Sequence, residues 1–289
     1  MKEQADQMTE TLKMNPVNVS HDRKKKTRII TITSGKGGVG KTNAAVNMAL
    51  AYARLGKKVI VMDADLGLAN VNVILNIIPR WNLYHVIRKQ KTMRDILLET
   101  EYGISIVAGA SGFSKIANLS DEDRINFIRE LSTLSNADII IIDTSAGVSI
   151  NVVDFIAAAD DVVLVTTPEL TAITDAYSII KIISADINNL DIGVKLVVNR
   201  VHSVAEGKKV ADRLIGIVGQ FLNIKVDYLG FIYDDPIVSQ AVMKQTPFTV
   251  LDPRAKASQC VAHIVSRLEK TDVPDEGGLG GFVKKFFKS

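Results

Sequence analysis

Residues 29–42 read IITITSGKGGVGKT, five β-branched residues running into a glycine-rich loop that closes on Lys41 and Thr42. A β-branched run of this kind suits a strand covered on both faces, and the apolar spacing over 42–55 suits a helix. The loop between them fits GxxxxGK[ST] in the setting that motif needs, strand before and helix after. Its glycines allow consecutive backbone N–H groups to turn inward around phosphate oxygens, at a helix N-terminus that already favours anions. Gly35, Lys36, Gly37, Gly38, Val39 and Gly40 are therefore read as a phosphate cradle. Lys41 is placed to reach the β- and γ-phosphates of a nucleotide, and the Thr42 hydroxyl to ligate magnesium.

Apolar runs of strand length recur at 58–62, 104–107, 138–142, 161–166, 193–198 and 225–231, with helical spacing at 121–135, 171–187 and 204–222. Strands apolar on both faces that alternate with helices predict an α/β fold, a doubly wound and mostly parallel sheet with helices on both faces. Ligands of such folds sit beyond the carboxyl ends of the strands, and the chemistry-bearing residues fall there. Run 58–62 leads into Asp63 and Asp65, whose i, i+2 spacing sends both carboxylates to one side; a solvated acidic turn is the competing account. Four isoleucines over 139–142 end in Asp143, a carboxylate placed near the magnesium of a phosphate loop, with Gly147 permitting a mobile segment behind it. Run 193–198 ends in Asn199 and Arg200. An asparagine amide offers donor and acceptor together, which suits an adenine edge, although plain turns also favour asparagine.

Hydrophobic residues make up 47% of the 289 and charged residues 23%, which fits a folded protein and excludes a disordered one. The lone Cys260 excludes an internal disulfide and a cysteine zinc cluster, predicts a reducing compartment, and sits in helical spacing that suits a buried structural role. The polar N-terminus lacks a signal-peptide pattern, and no apolar run is long enough to span a bilayer, so a cytoplasmic protein is expected. Charge is unevenly divided: 7 basic and 4 acidic side chains over 1–28, 4 and 3 over 270–289, and 24 and 25 over the body, 29–269. A nearly neutral body argues against broad nucleic-acid binding.

Three parts are expected. Residues 1–28 form a polar extension ending in the basic run Arg23, Lys24, Lys25, Lys26 and Arg28; 29–269 form the α/β body; 270–289 form a glycine-rich linker and tip. In the tip Leu279, Phe282, Val283, Phe286 and Phe287 share one helical stripe, with Lys284, Lys285 and Lys288 opposite. So short a helix is marginal in water and suits an anionic membrane surface. Docking on the protein's own body is the alternative, although no core for it to enter is evident. Near the other end, Ala5, Met8 and Leu12 form a weak stripe suited to a partner-binding helix.

The extra loop lysine, Lys36 in GKGGVGKT, resembles the deviant Walker A group of P-loop ATPases that includes MinD, ParA and the nitrogenase iron protein. That resemblance implies ATP and magnesium as cofactors, slow regulatory hydrolysis, and an ATP-dependent homodimer in which Lys36 crosses to the partner's nucleotide. It implies that Asp65, in the DADLGL segment 63–68, activates the attacking water, that Asp63 stands close to the magnesium shell beside Thr42 and Asp143, and that Asn70 lies near the nucleotide. Asn199 and Arg200, with Asp234 and Pro236 closing the other side, would hold the adenine. The group's usual DxPxG is DTSAG here, with Ser145 for the proline.

The stretch Glu3 to Met8 is similar to the DQAxxLR start of the FlhG flagellar-number regulators, and Asn43, Asn47, 109–112 and 117–119 resemble that family as well. MinD and FlhG proteins share a membrane-targeting tip, and ParA proteins generally lack one. The FlhG resemblance implies control of flagellar number and placement, with an FlhF-type GTPase bound through Gln4, Ala5 and Met8. It implies flagellar switch proteins or a flagellar transcription regulator as further partners, and a seat on the inner face of the cell membrane, at the pole. The alternatives are MinD-type division-site selection, ParA-type DNA segregation through the run 23–28, and a nucleotide-binding scaffold that barely hydrolyses. DNA binding is not expected.

Overall fold

Neighbouring residues of the central strands face opposite ways and both sides are apolar. Ile139 and Ile141 enter one core while Ile140 and Ile142 enter another, and Val59 and Val61 part from Ile60 and Met62 in the same manner. Such strands need cover on both faces, and helices supply it. The computed structural model describes residues 26–65, 70–109, 121–186 and 193–270, together with Leu279 and Phe282. Its strands are β1 (Arg28–Ser34), β2 (Val59–Ala64), β3 (Leu97–Glu99), β4 (Ser105–Val107), β5 (Ile139–Ala146), β6 (Asp161–Thr166), β7 (Val194–Val201) and β8 (Val226–Tyr233). They form one sheet in the order β3-β4-β2-β5-β1-β6-β7-β8. Every pairing is parallel except β3 with β4 at one edge. The doubly wound, mostly parallel sheet expected from the sequence is present.

The helices are α1 (Lys41–Arg54), α2 (Val71–Ile74), α3 (Leu83–Ile87), α4 (Met93–Ile96), α5 (Asp121–Ser132), α6 (Ile150–Ala158), α7 (Leu170–Asp186), α8 (Val204–Phe221), α9 (Pro236–Met243), α10 (Phe248–Leu251) and α11 (Lys256–Glu269). On one face α1 and α11 share a core that includes Cys260, buried as expected. The other face divides into a cluster under α3 to α6 and a cluster under α6 to α8. Ser145 lies within β5, which pairs as far as Ala146 opposite Ser34; a proline there could donate no ladder hydrogen bond.

At one end an expectation is corrected, and at the other the alternative seat on the body is found. Arg28 does not belong to the polar extension: it is buried in β1, with Nε 2.6 Å from Asp161 Oδ2 and Nη2 donating to the Leu268 carbonyl at 3.1 Å. Lys195 reaches the other Asp161 oxygen at 2.8 Å, so β1, β6, β7 and the end of α11 are tied at the pole opposite the phosphate loop. The tip does find a core. Leu279 and Phe282 are buried in the cluster under α3 to α6, and the Phe282 ring stacks on Phe155 with centroids 6.2 Å apart. The physical reason is that this cluster gathers apolar side chains from separate stretches of sequence, Phe127, Leu131 and Phe155 among them, so no local pattern reveals it. Residues Val283, Lys284, Lys285, Phe286, Phe287 and Lys288, Gln4, Ala5 and Met8, and the segments 110–112 and 117–119, lie outside the described residues.

Candidate nucleotide site

The carboxyl ends of β1, β2, β5 and β7 meet on one side of the sheet, and each delivers residues singled out in the sequence. β1 ends at Ser34, and the chain then loops into α1 at Lys41. Gly40 has φ +92°, and a Cβ there would stand 2.3 Å from Asn199 Nδ2; a Cβ on Gly35 would stand 2.3 Å from the backbone of Asp175. Only glycine lets the loop lie this close to β7 and α7. Val39 is buried in the core shared with α1, and its carbonyl accepts from Asn199 Nδ2 at 2.7 Å. Val39 thus anchors the loop.

Lys41 Nζ donates to Asp143 Oδ1 at 2.8 Å, both groups being buried. Asp143 Oδ2 is buried with no hydrogen-bond partner among the described residues. Burial pushes the Asp143 carboxyl up from its ordinary value, while Lys41 and the Thr42 side chain pull it back. An unused carboxylate oxygen beside the Thr42 hydroxyl fits a hard divalent cation. No group of three or more His, Cys, Asp or Glu among the described residues is arranged to hold a metal. A magnesium ion here would complete its shell from phosphates and water, as that ion usually does.

Asp63 stands in register with Asp143 on the neighbouring strand. It accepts three backbone N–H groups, from Asp65 on Oδ1 (3.0 Å) and from Asn70 and Val71 on Oδ2 (2.9 and 3.2 Å). It therefore fixes the backbone of Asp65 beside the start of α2. Asn70 Nδ2 lies 3.4 Å from Asp65 Oδ2, so Asn70 steadies the carboxylate to which the family resemblance gives the attacking water.

Two clefts adjoin here. One of about 470 Å³ is lined by the loop, Thr42, Asp65 and Asn70. The other, of about 490 Å³, is lined by Asn199, Arg200, Tyr233 and Asp234. They share Gly40, Asn43, Arg200 and Val242. Besides its bond to Val39, Asn199 accepts from the Arg200 N–H at 2.9 Å. Each bond uses half of what the amide offers, which leaves one N–H and one lone pair. Pro236 is not among the lining residues; it begins α9, which Asp235 caps through the Ile237 N–H.

Lys36 lines neither cleft. Its Nζ donates to Glu169 Oε2 at 2.6 Å and to Thr171 Oγ1 at 2.8 Å. The sequence reading missed these partners, and it missed Tyr233 at the second cleft. Their position at or just past the carboxyl ends of β6 and β8, where ligands of such sheets gather, is the signal that points to them.

Residues 27–195 match the AAA domain family. The chain is 39% identical to the antiactivator FleN of Pseudomonas aeruginosa over 261 residues, covering 89% of this chain and 92% of that protein. It is 34% identical to the flagellum site-determining protein YlxH of Helicobacter pylori, covering 100% of this chain and 99% of that protein. The chain belongs to the FlhG/FleN family. Members are MinD-like P-loop ATPases, and this chain is an ATPase. Among solved structures, MinD in the MinC:MinD cell division complex of Aquifex aeolicus is 28% identical with a TM-score of 0.68, covering 86% of this chain and 98% of that one. MinD of Pyrococcus horikoshii, complexed with Mg-ADP, shares the fold at 23% identity and a TM-score of 0.67, covering 84% and 96%. No described helix of this FlhG/FleN-family chain is long and apolar enough to cross a membrane.

Proposed function

We propose that the protein is an ATP-driven monomer–dimer switch that regulates flagellar number and placement and binds a membrane reversibly. The observation that carries this reading is the pairing of a complete phosphate site with a loop lysine turned away from it. ATP would lie along the joined clefts, its phosphates on the loop with Lys41, its base between Asn199 and Asp234. Magnesium would be held by Thr42 and Asp143 with Asp63 close by, and would neutralise developing charge on the phosphates. Asp65, steadied by Asn70, orients the attacking water and accepts its proton. Lys36 leaves Glu169 and Thr171 to reach the nucleotide of a second subunit.

Exposed apolar side chains at the mouth of the clefts, Val73, Val242 and Met243, offer the second subunit a surface. The flagellar role rests on the likeness to FleN and YlxH. An FlhF-type GTPase bound through Gln4, Ala5 and Met8, a flagellar switch protein or transcription regulator, and a place at the inner membrane face near the pole belong to the same reading. The tip, seated on the body through Leu279 and Phe282, would leave its seat in the ATP-bound dimer and lay its stripe on the membrane. Analytical ultracentrifugation tests the core of this reading. With ATP, Asp65→Ala should sediment as a dimer that turns over about 100-fold more slowly than wild type, and adding Lys36→Ala should return it to monomer. A double variant that dimerises as well as Asp65→Ala would remove Lys36 from the interface.

A further inference from the structure

Between Asp65 and Asp95 the chain carries no carboxylate, and five cations fall within 80–94: Arg80, Arg88, Lys89, Lys91 and Arg94. This stretch lies in a body whose net charge is close to zero, and the nucleotide site uses none of it. The segment is firmly held. Asn82 caps α3 through the Tyr84 N–H, Thr92 and Asp95 cap α4 reciprocally, and Leu83, Val86, Met93 and Ile96 are buried beneath. From that base three of the cations stand over aromatic rings. Arg80 and Lys91 stand 5.2 and 4.7 Å from the Trp81 ring centre, and Arg88 stands 5.3 Å from that of Tyr84. Among the described residues Lys89 alone of the five makes an ion pair, with Glu122. Ile78, two residues before Arg80, is 96% exposed.

Unpaired cations, a half-buried tryptophan and tyrosine, and a bare isoleucine make up the chemistry of a bilayer interface. Cations meet anionic headgroups there, amphipathic rings sit at headgroup level, and an aliphatic side chain enters the acyl boundary. Nucleic acid would use the cations and the rings but would leave Ile78 in water. The position agrees, because Trp81 and Ile87 pack on the same cluster that seats Leu279 and Phe282. We propose that Ile78, Arg80, Trp81, Arg88, Lys91 and Arg94 form a second membrane contact on the body itself, which rests on anionic phospholipid beside the seat of the tip. The inference depends on the membrane reading of the tip and adds a second signal to it, as stable but reversible anchoring requires.

Trp81 is the only tryptophan, so its emission reports this surface and not the tip. The full-length protein is mixed with Mg·ATP and phosphatidylglycerol-containing vesicles, with or without brominated phosphatidylcholine. Vesicle binding should shift Trp81 emission to the blue, and brominated lipid should quench it. The triple variant Arg80→Gln, Arg88→Gln, Lys91→Gln should bind vesicles about tenfold more weakly or worse at low salt, with vesicle-free ATP turnover within about twofold of wild type. Protein that sediments with vesicles while its tryptophan emission stays unchanged would overturn the second contact and leave the tip reading standing. Wild type that ignores the vesicles altogether would remove both. A triple variant that keeps vesicle binding and loses duplex DNA binding would make the surface a nucleic-acid site instead.

Discussion

Asp143 has Lys41 on one oxygen, and its other oxygen is buried with no partner among the described residues. A lone buried carboxylate oxygen is costly, and a cation that arrives with the nucleotide removes the cost. The neighbouring Asp63 gives this a pH signature. Burial, and then the charge of Asp143, push the Asp63 carboxyl up to about 7, against the pull of the N–H donors from Asp65, Val71 and Asn70. The proton held there below that pH opposes a cation and is released as pH rises. Affinity for Mg·ATP should therefore be about tenfold lower at about pH 6 than at about pH 8, measured by isothermal titration, with magnesium-free ATP as the control showing little change. Asp63 and Asp143 were legible because each directly follows an apolar strand run, and Asp65 through its i, i+2 spacing from Asp63. Glu169 was not, since no local pattern links it to a lysine 133 residues earlier in the chain.

The sheet was legible element by element wherever an apolar run reached four residues, as in 139–142 and 162–165. β3 was missed because three residues, Leu97–Glu99, are too few to show a period. Helices α2, α3 and α4 were missed for a related reason: four or five residues complete little more than one turn, and the caps at Asn82 and Thr92 define α3 and α4 more than apolar spacing does. Arg28 was misjudged because its charge matched the run before it, while its partner Asp161 starts a strand far along the chain. That partnership makes a prediction at this scale. Replacing Asp161 with Ala removes the shortest ion pair of the buried Arg28, which keeps Glu269 at 3.7 Å, and the ion pair of Lys195, and should destabilise the protein by about 3 kcal/mol in urea unfolding. The variant should still show the parallel fold by circular dichroism at low denaturant.

Across the whole molecule the nucleotide site and the seat of the tip belong to different packing clusters, and the switch needs the two to communicate. If ATP releases the tip, residue 282 should become reachable. In a Cys260→Ser background, Phe282→Cys should react slowly with a thiol reagent without nucleotide. With ATP and Asp65→Ala it should react about tenfold faster or more, as expected when a docked segment opens locally. Equal rates in both states would mean the tip stays seated through the cycle. The bond from Arg28 to the Leu268 carbonyl has a consequence of its own. The described body thus begins and ends side by side, Arg28 of β1 against Leu268 of α11. A protein held beside Arg28 is thereby brought close to whatever is held beside Leu268. Their encounter becomes a matter of local concentration instead of diffusion through the cell.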